Sequence, residues 1–174
     1  MILVTGAAGF IGFHLCQRLL SNGHEVIGLD NLNDYYSVDL KKSRLAHLTP
    51  HSNFRFYAMD LADQAAIVDV FSKHSFTTVI HLAAQAGVRY SLQNPQSYIS
   101  SNLVGFFHVI EAARAKRVAH FVFASTSSVY GSNTKMPFST SDNTDHPVSL
   151  YAATKKSNEA IAHSYAYMHG LPVT

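Results

Sequence analysis

Short runs of apolar, β-favouring residues alternate along this chain with longer stretches whose apolar positions recur at helical spacing. The runs at 2–4, 25–29, 54–58, 78–82 and 120–124 read as strands; the stretches at 10–22, 38–48, 64–73, 95–115 and 149–169 read as helices. In the first helix Ile11, Leu15, Leu19 and Leu20 supply the apolar repeat. Strands that are apolar throughout belong in a sheet covered on both faces, and strand–helix alternation makes that sheet parallel. The expected fold class is therefore α/β, a doubly wound parallel sheet with right-handed crossovers. The stretch 132–147, rich in Ser, Thr, Asn, Asp and Pro, reads as a loop long enough to be functional. No internal repeat and no low-complexity linker interrupts the pattern. Gly170 offers a stop for the last helix, and Leu171-Pro-Val-Thr174 reads as the opening of a further strand. A strand needs about five or six residues, so the expectation is the front portion of a longer protein.

Composition narrows the class. The 174 residues are 47% hydrophobic and 14% charged, enough apolar material for one soluble domain with a sizeable core. Net charge is +2, and apart from Lys41-Lys42-x-Arg44 and Lys116-Arg117 the cations are scattered. That argues against a nucleic-acid face. The eleven histidines raise the question of metal, but no His-x-His or Cys-x-x-Cys pair occurs, and Pro50 separates His47 from His51. No metal site is expected. The single Cys16 follows an apolar run, so a buried thiol is expected, with no disulfide framework and a cytoplasmic location. Met1-Ile-Leu-Val-Thr5 is too short for a signal peptide or membrane span.

Candidate chemistry begins at Gly6-x-x-Gly9-x-x-Gly12, which follows the first strand and opens the first helix. In that context glycines let the backbone approach a pyrophosphate, while helix N–H groups and the helix dipole stabilise its charge. Phe10 and Ile11 lie within the turn and are counted in the same site. The fold expected is accordingly Rossmann-like, with NAD as cofactor. Asp30 ends the second strand, near the position of an acidic ribose ligand. A carboxylate there accepts from ribose hydroxyls and repels a 2′-phosphate; Asn31 and Leu32 offer no cation, so NAD is favoured over NADP. Asn31 and Asn33 are assigned to the cofactor site with it. Asp60-Leu61 could meet the adenine, although Asp60 could equally cap the helix that follows. Leu82, Ala83 and Ala84 end the fourth strand in small residues that let a cofactor lie close.

The reacting centre falls at Ser125-Thr126-Ser127-Ser128, after the fifth strand, and at Tyr151-x-x-x-Lys155. Consecutive hydroxyls at the carboxyl edge of a parallel sheet suit hydrogen bonding to a sugar hydroxyl, or a turn satisfying its own backbone. A tyrosine and a lysine four residues apart share a helical face, where an ammonium can lower the phenol's pKa and prepare it as a base.

These residues resemble the extended short-chain dehydrogenase/reductase superfamily, in the NAD-dependent epimerase/dehydratase family, and more narrowly the UDP-glucuronate 4-epimerases. The likeness covers the whole chain and is most specific at Asp30-Asn-Leu-Asn-Asp-Tyr-Tyr36, Ala84-Gln-Ala-Gly-Val-Arg-Tyr-Ser91 and 136–156. The resemblance implies Tyr151 as base, Lys155 as its activator and ribose ligand, Thr126 at the reacting oxygen, and Asn102 supporting the cofactor. It implies a UDP-sugar substrate, UDP-glucuronate passing through a 4-keto intermediate to UDP-galacturonate, and supply of polysaccharide precursors. Ser127 and Ser128 stand where 4,6-dehydratases carry an acid/base pair, and decarboxylases typically carry a glutamate at the place of Ser128. Ser127, Ser128 and Arg89 are candidates to hold the substrate carboxylate; a loop salt bridge is the other reading for Arg89. Alternatives are epimerisation of UDP-glucose, UDP-galactose or a UDP-N-acetylhexosamine, or a non-catalytic NAD-binding module. Relatives continue into a C-terminal substrate domain. Residues 1–174 are thus expected to be the NAD-binding domain, truncated before that region and weakly active alone. Self-association, as a homodimer or otherwise, is expected through the sheet edge and exposed helix faces around Ile110 and Ile161.

Overall fold

Every strand expected from the apolar runs forms, and all five join one parallel sheet in the order β3-β2-β1-β4-β5. They are β1 (Ile2–Thr5), β2 (Val26–Asp30), β3 (Phe54–Ala58), β4 (Thr78–His81) and β5 (His120–Phe123). The structure is a computed structural model and describes all residues, Met1–Thr174. Its helices are α1 (Phe10–Ser21), α2 (Val38–Leu48), α3 (Gln64–Lys73), α4 (Tyr90–Gln93), α5 (Pro95–Tyr98), α6 (Phe106–Ala115) and α7 (Leu150–His169). A π-helical stretch, Ile99–Gly105, joins α5 to α6, and a short 3-10 turn, Ser127–Tyr130, follows β5.

Adjacent residues of one strand serve opposite layers. Leu3 packs with Ile27, Leu29, Phe71, Val79, Phe106 and Phe121. Its neighbour Val4 packs with Phe13, Cys16, Leu20, Leu45, Leu48 and Phe54 from α1, α2 and β3. Strands buried on both faces need no polar alternation, which is why the apolar runs are continuous. Cys16 is wholly buried, and burial pushes its thiol up to about 12, as an inert core residue requires.

The predicted helix 95–115 is one rod in outline but two α-helical pieces around the π-helical stretch. The interruption coincides with Asn102, whose side chain is committed to partners outside its own helix. At the same stretch Gly105 meets Leu61, where an added Cβ would come within 2.8 Å. Beyond Gly170, Phe121 N donates to Pro172 O at 2.8 Å and Thr174 N to Phe121 O at 3.0 Å. A parallel bridge thus joins Val173 to Phe121 beside β5. One expectation is corrected. Ile110 is fully buried and Ile161 packs against the core, because α7 lies on α6 and Tyr165 donates to Glu111 at 2.9 Å across them. The helix faces around these two isoleucines are therefore covered within the chain. No helix is long and apolar enough to cross a membrane.

Candidate active site

The sheet order reverses direction between β1 and β4, and ligands of open α/β sheets bind above such a point. The two loops leaving those strands press together there. Gly6 adopts φ +74°, a left-handed conformation that favours glycine, and a Cβ on it would lie 2.9 Å from Ala83 N. Gly12 is tighter still, since its Cβ would sit 2.1 Å from Gly6 O. The turn can thus close only with glycine at these places.

At the start of α1 no side chain caps the helix and no acid stands in its first turn. The N–H groups of Phe10, Ile11 and Gly12 have no partner from a preceding helical turn, so this end can bind an anion. Their side chains do different work. Phe10 and Ile11 are exposed and Gly12 is buried against the turn.

A cavity of about 160 Å³ opens beside this turn. Ten of the residues assigned from sequence line it: Gly6, Gly9, Asp30, Asn31, Asn33, Asp60, Leu61, Leu82, Ala83 and Ala84. Asp30 Oδ1 accepts from Leu32 N at 2.9 Å, and Asn31 Nδ2 donates to Asp60 Oδ2 at 3.0 Å, joining the ends of β2 and β3. Asp60 Oδ1 accepts from Ala62 N, but the helix cap is Asp63, which accepts from Ala66 N at 3.0 Å. The capping alternative for Asp60 therefore gives way to a carboxylate at the cavity wall.

Several lining residues were missed in the sequence. Tyr35, Tyr36, Gln85 and Lys41 contribute to the wall. Lys41 is the most consequential. Its ammonium donates to Asn33 O at 2.7 Å and to Asn33 Oδ1 at 2.9 Å, and lies 4.6 Å from the centre of the Tyr36 ring. Burial draws its pKa down, opposed by the Asp30 carboxylate. A cation therefore does stand near Asp30. It comes from α2 rather than from the residues that continue the chain after the strand. The spacing Lys41-x-x-Arg44 was the available signal, because residues three apart share a helical face. Arg44 indeed reaches the same turn, donating to Ala8 O at 3.2 Å and Tyr36 Oη at 3.0 Å.

Tyr151, Lys155, Thr126 and Asn102 do not line this cavity; they belong to a second constellation tied to it through Gln85. Asn102 Oδ1 accepts from Gln85 N at 2.7 Å, and its Nδ2 donates to Gln85 O and to Thr154 Oγ1, both at 3.1 Å. Asn158 Nδ2 donates to Asn102 O at 2.7 Å. The wall of the cavity and the helix bearing Tyr151 and Lys155 are thereby held by one buried amide. Lys155 is 3% exposed and makes no hydrogen bond to the protein; burial draws it down to about 8, with Glu159 opposing. Behind it His81 is buried, and burial with the Lys155 charge pushes it down to about 3, so the ring is neutral. Thr5 Oγ1 accepts from Leu82 N and Ala83 N, which leaves its proton for His81 Nδ1 at 3.1 Å.

The turn Ser127–Tyr130 packs against α7. Thr126 Oγ1 accepts from Ser128 N at 3.2 Å, so its own proton remains available. Ser127 is exposed and Ser128 half-buried on this turn. Ser125, by contrast, donates to Glu159 at 2.6 Å. Arg89 is exposed and forms no ion pair, which removes the loop salt bridge.

A profile of the family described as GDP-mannose 4,6 dehydratase matches residues 3–174. Protein CapI of Staphylococcus aureus is 53% identical over 173 residues, covering 99% of this chain and 52% of that protein. A probable UDP-glucuronate 4-epimerase of Rhizobium meliloti is 49% identical over 172 residues, covering 99% and 50% respectively. The crystal structure of UDP-glucuronic acid 4-epimerase from Bacillus cereus, in complex with UDP-glucuronic acid and NAD, superposes with a TM-score of 0.90 at 35% identity. That match covers 99% of this chain and 54% of the solved one. The chain thus spans about half the length of the relatives it matches.

Proposed function

We propose that this chain, which belongs to the GDP-mannose 4,6 dehydratase family, supplies in residues 1–174 the NAD-binding domain of a UDP-sugar 4-epimerase. UDP-glucuronate is the substrate we assign. The observation that carries the reading is the Gln85–Asn102–Thr154 linkage, which joins a glycine-floored cavity to the helix of Tyr151 and Lys155.

The residues present fit NAD. The uncapped start of α1 and the cradle at Gly6, Gly9 and Gly12 suit a pyrophosphate. Asp30 suits ribose hydroxyls, and Leu82, Ala83 and Ala84 leave room for the cofactor to lie close. Bound NAD supplies an acceptor, and then a donor, for the hydrogen at the reacting carbon. The chain's own groups do the rest. Tyr151 Oη takes the proton from the sugar C4 hydroxyl and later returns it. Lys155 carries a charge weakened by burial; a phenolate beside it favours the ammonium, and the ammonium in turn favours the phenolate. Thr126, whose lone pair is engaged by Ser128 N, donates its proton to the C4 oxygen.

Epimerisation rather than dehydration is supported by the two residues after Thr126. Ser127 and Ser128 cannot serve as the acid and base that loss of water needs. Oxidised glucuronate is a β-keto acid, so its carboxylate must be held out of alignment with the ketone; Ser127, Ser128 and Arg89 are the groups we assign to that task. The test is prolonged incubation of the chain at high concentration, since turnover by residues 1–174 alone is expected to be weak, with NAD and either UDP-glucuronate or UDP-glucose, the products being resolved by anion-exchange chromatography. UDP-galacturonate formed without net reduction of NAD is expected. A pentose product with carbon dioxide, or conversion of UDP-glucose alone, would overturn the assignment.

A further inference from the structure

Four tyrosines from four separate segments stand in contact between the cavity and the proposed base. Tyr35, on the loop after β2, lies 4.8 Å from Tyr90 of α4, centroid to centroid. Tyr90 lies 6.3 Å from Tyr98 of α5, and Tyr98 meets Tyr151 at 6.1 Å, nearly edge to face at 76°. The series starts at the cavity wall, because Tyr35 lines it. Its hydroxyl sits so close to Gly87 that a Cβ there would come within 2.4 Å. The series ends on the phenol that the reaction uses.

Tyr98 is the member that faces both ways. It is fully buried, yet it is a tyrosine where phenylalanine would fill the same space. Its hydroxyl lies 2.8 Å from Ala86 O and 2.5 Å from Gly87 O, so one proton is shared between two carbonyls of the loop at the cavity wall. The polar strut through Asn102 fixes the backbone of α7 by way of Thr154 and Asn158, and Thr154 Oγ1 donates to Tyr151 O at 2.8 Å. None of the strut's hydrogen bonds goes to the Tyr151 hydroxyl. The aromatic ring packed on that of Tyr151 is Tyr98.

We propose that Tyr98 is a positioning residue: its hydroxyl fixes the Ala86–Gly87 segment of the cavity wall while its ring sets the pose of Tyr151, so that filling the cavity and orienting the phenol are coupled. The inference rests on the functional reading above for its choice of ligand. It adds a mechanical link that the polar strut alone does not supply. By linkage the coupling is reciprocal, so disturbing Tyr98 changes cofactor affinity as well as the surroundings of Tyr151.

Two substitutions separate the two contacts. Tyr98→Phe removes the hydroxyl and keeps the ring; Tyr98→Leu removes both. Each is read by calorimetric titration of the chain with NAD, by melting temperature, and by NMR of ring-labelled tyrosine, where the Tyr151 signal, identified with Tyr151→Phe, is the pattern of its Overhauser contacts to residues other than 98, which loss of a neighbouring ring current does not alter. Tyr98→Phe should weaken NAD about tenfold, the scale of one or two lost hydrogen bonds, and leave the Tyr151 signal of the ligand-free chain in place. Tyr98→Leu should weaken NAD at least as much and displace that signal. A residue that only filled space would lower the melting temperature in Tyr98→Leu and leave the Tyr151 signal unmoved. Wild-type affinity in Tyr98→Phe, or an unmoved Tyr151 signal in Tyr98→Leu, overturns the proposal. Should Tyr98→Leu fail to fold, the affinity of Tyr98→Phe decides. A wild-type chain that binds no NAD counts against the functional reading instead, and the Tyr151 signal then decides the role of Tyr98.

Discussion

Asp30 reaches across the candidate site to Ala8, accepting from its backbone N–H at 3.2 Å through Oδ2. The contact ties the end of β2 to the phosphate turn, and the Leu32 N–H fixes the other carboxylate oxygen. A carboxylate oriented by two backbone donors is well placed to accept from ribose hydroxyls and to repel a 2′-phosphate.

Replacing it should therefore change selectivity as well as affinity. Asp30→Ser is expected to weaken NAD by about tenfold to a hundredfold, the scale of charge-assisted hydrogen bonds. NADP should lose less, or gain, because Lys41 remains at the same wall. Parallel titrations with both cofactors measure the ratio. An unchanged ratio would move the adenosine ribose away from β2.

The glycine turn makes a sharper demand. A Cβ on Gly12 would overlap Gly6 O at 2.1 Å, and backbone cannot rotate aside as a side chain can. Gly12→Ala should be destabilised by about 2–3 kcal/mol through overpacking and should lose NAD binding. Gly9→Ala, with its nearest contact at 3.0 Å, should be milder. Urea unfolding ranks the two, and equal midpoints would contradict the geometry.

Much of this was readable in the chain for a physical reason. Strands buried on both faces leave continuous apolar runs, and the phosphate turn needs glycine at fixed spacing, so both features are written locally. The cavity wall of Gly6, Asp30, Asp60 and Leu82–Ala84 followed from strand ends alone. What escaped was the part built by tertiary contact. Lys41 reaches the wall only because α2 folds back beside β2, and the π-helical stretch coincides with Asn102, whose side-chain amide is shared between Gln85 and Thr154 and whose backbone carbonyl accepts from Asn158. Likewise Ile110 looks free for a partner in the sequence, whereas α7 covers it in the fold. No local pattern records which helix face another helix will take.

Lys155 should cost stability. Burial holds its native pKa at about 8 against 10.5, so below pH 8 the folded state carries a charge it solvates poorly. Lys155→Met is expected to be about 2–3 kcal/mol more stable at pH 7, while losing the proposed turnover. The gain should shrink as pH rises from 8 towards 10.5, where the wild-type lysine becomes neutral in both states. Thermal unfolding at several pH values checks both the sign and the trend.

His81 predicts the acid limb. Its ring is held near a pKa of 3 against 6.5, so between those values the unfolded chain binds a proton that the native chain refuses. Stability should fall as pH drops from 6.5 to 3, with this residue adding up to about 1.4 kcal/mol per pH unit. His81→Asn keeps an acceptor for the Thr5 hydroxyl but cannot titrate. Its stability profile should be flatter over that window by about one proton. Identical acid profiles for the two proteins would mean that His81 charges freely in the folded state.

The most direct measurement is a structure of this chain with NAD bound. The diphosphate is expected at the start of α1, the adenosine ribose on Asp30, and the Tyr151 hydroxyl within about 3 Å of the nicotinamide ribose or the site above it. A diphosphate elsewhere, or Tyr151 facing away from the nicotinamide with Tyr98 and Asn102 still in their present contacts, would contradict that arrangement.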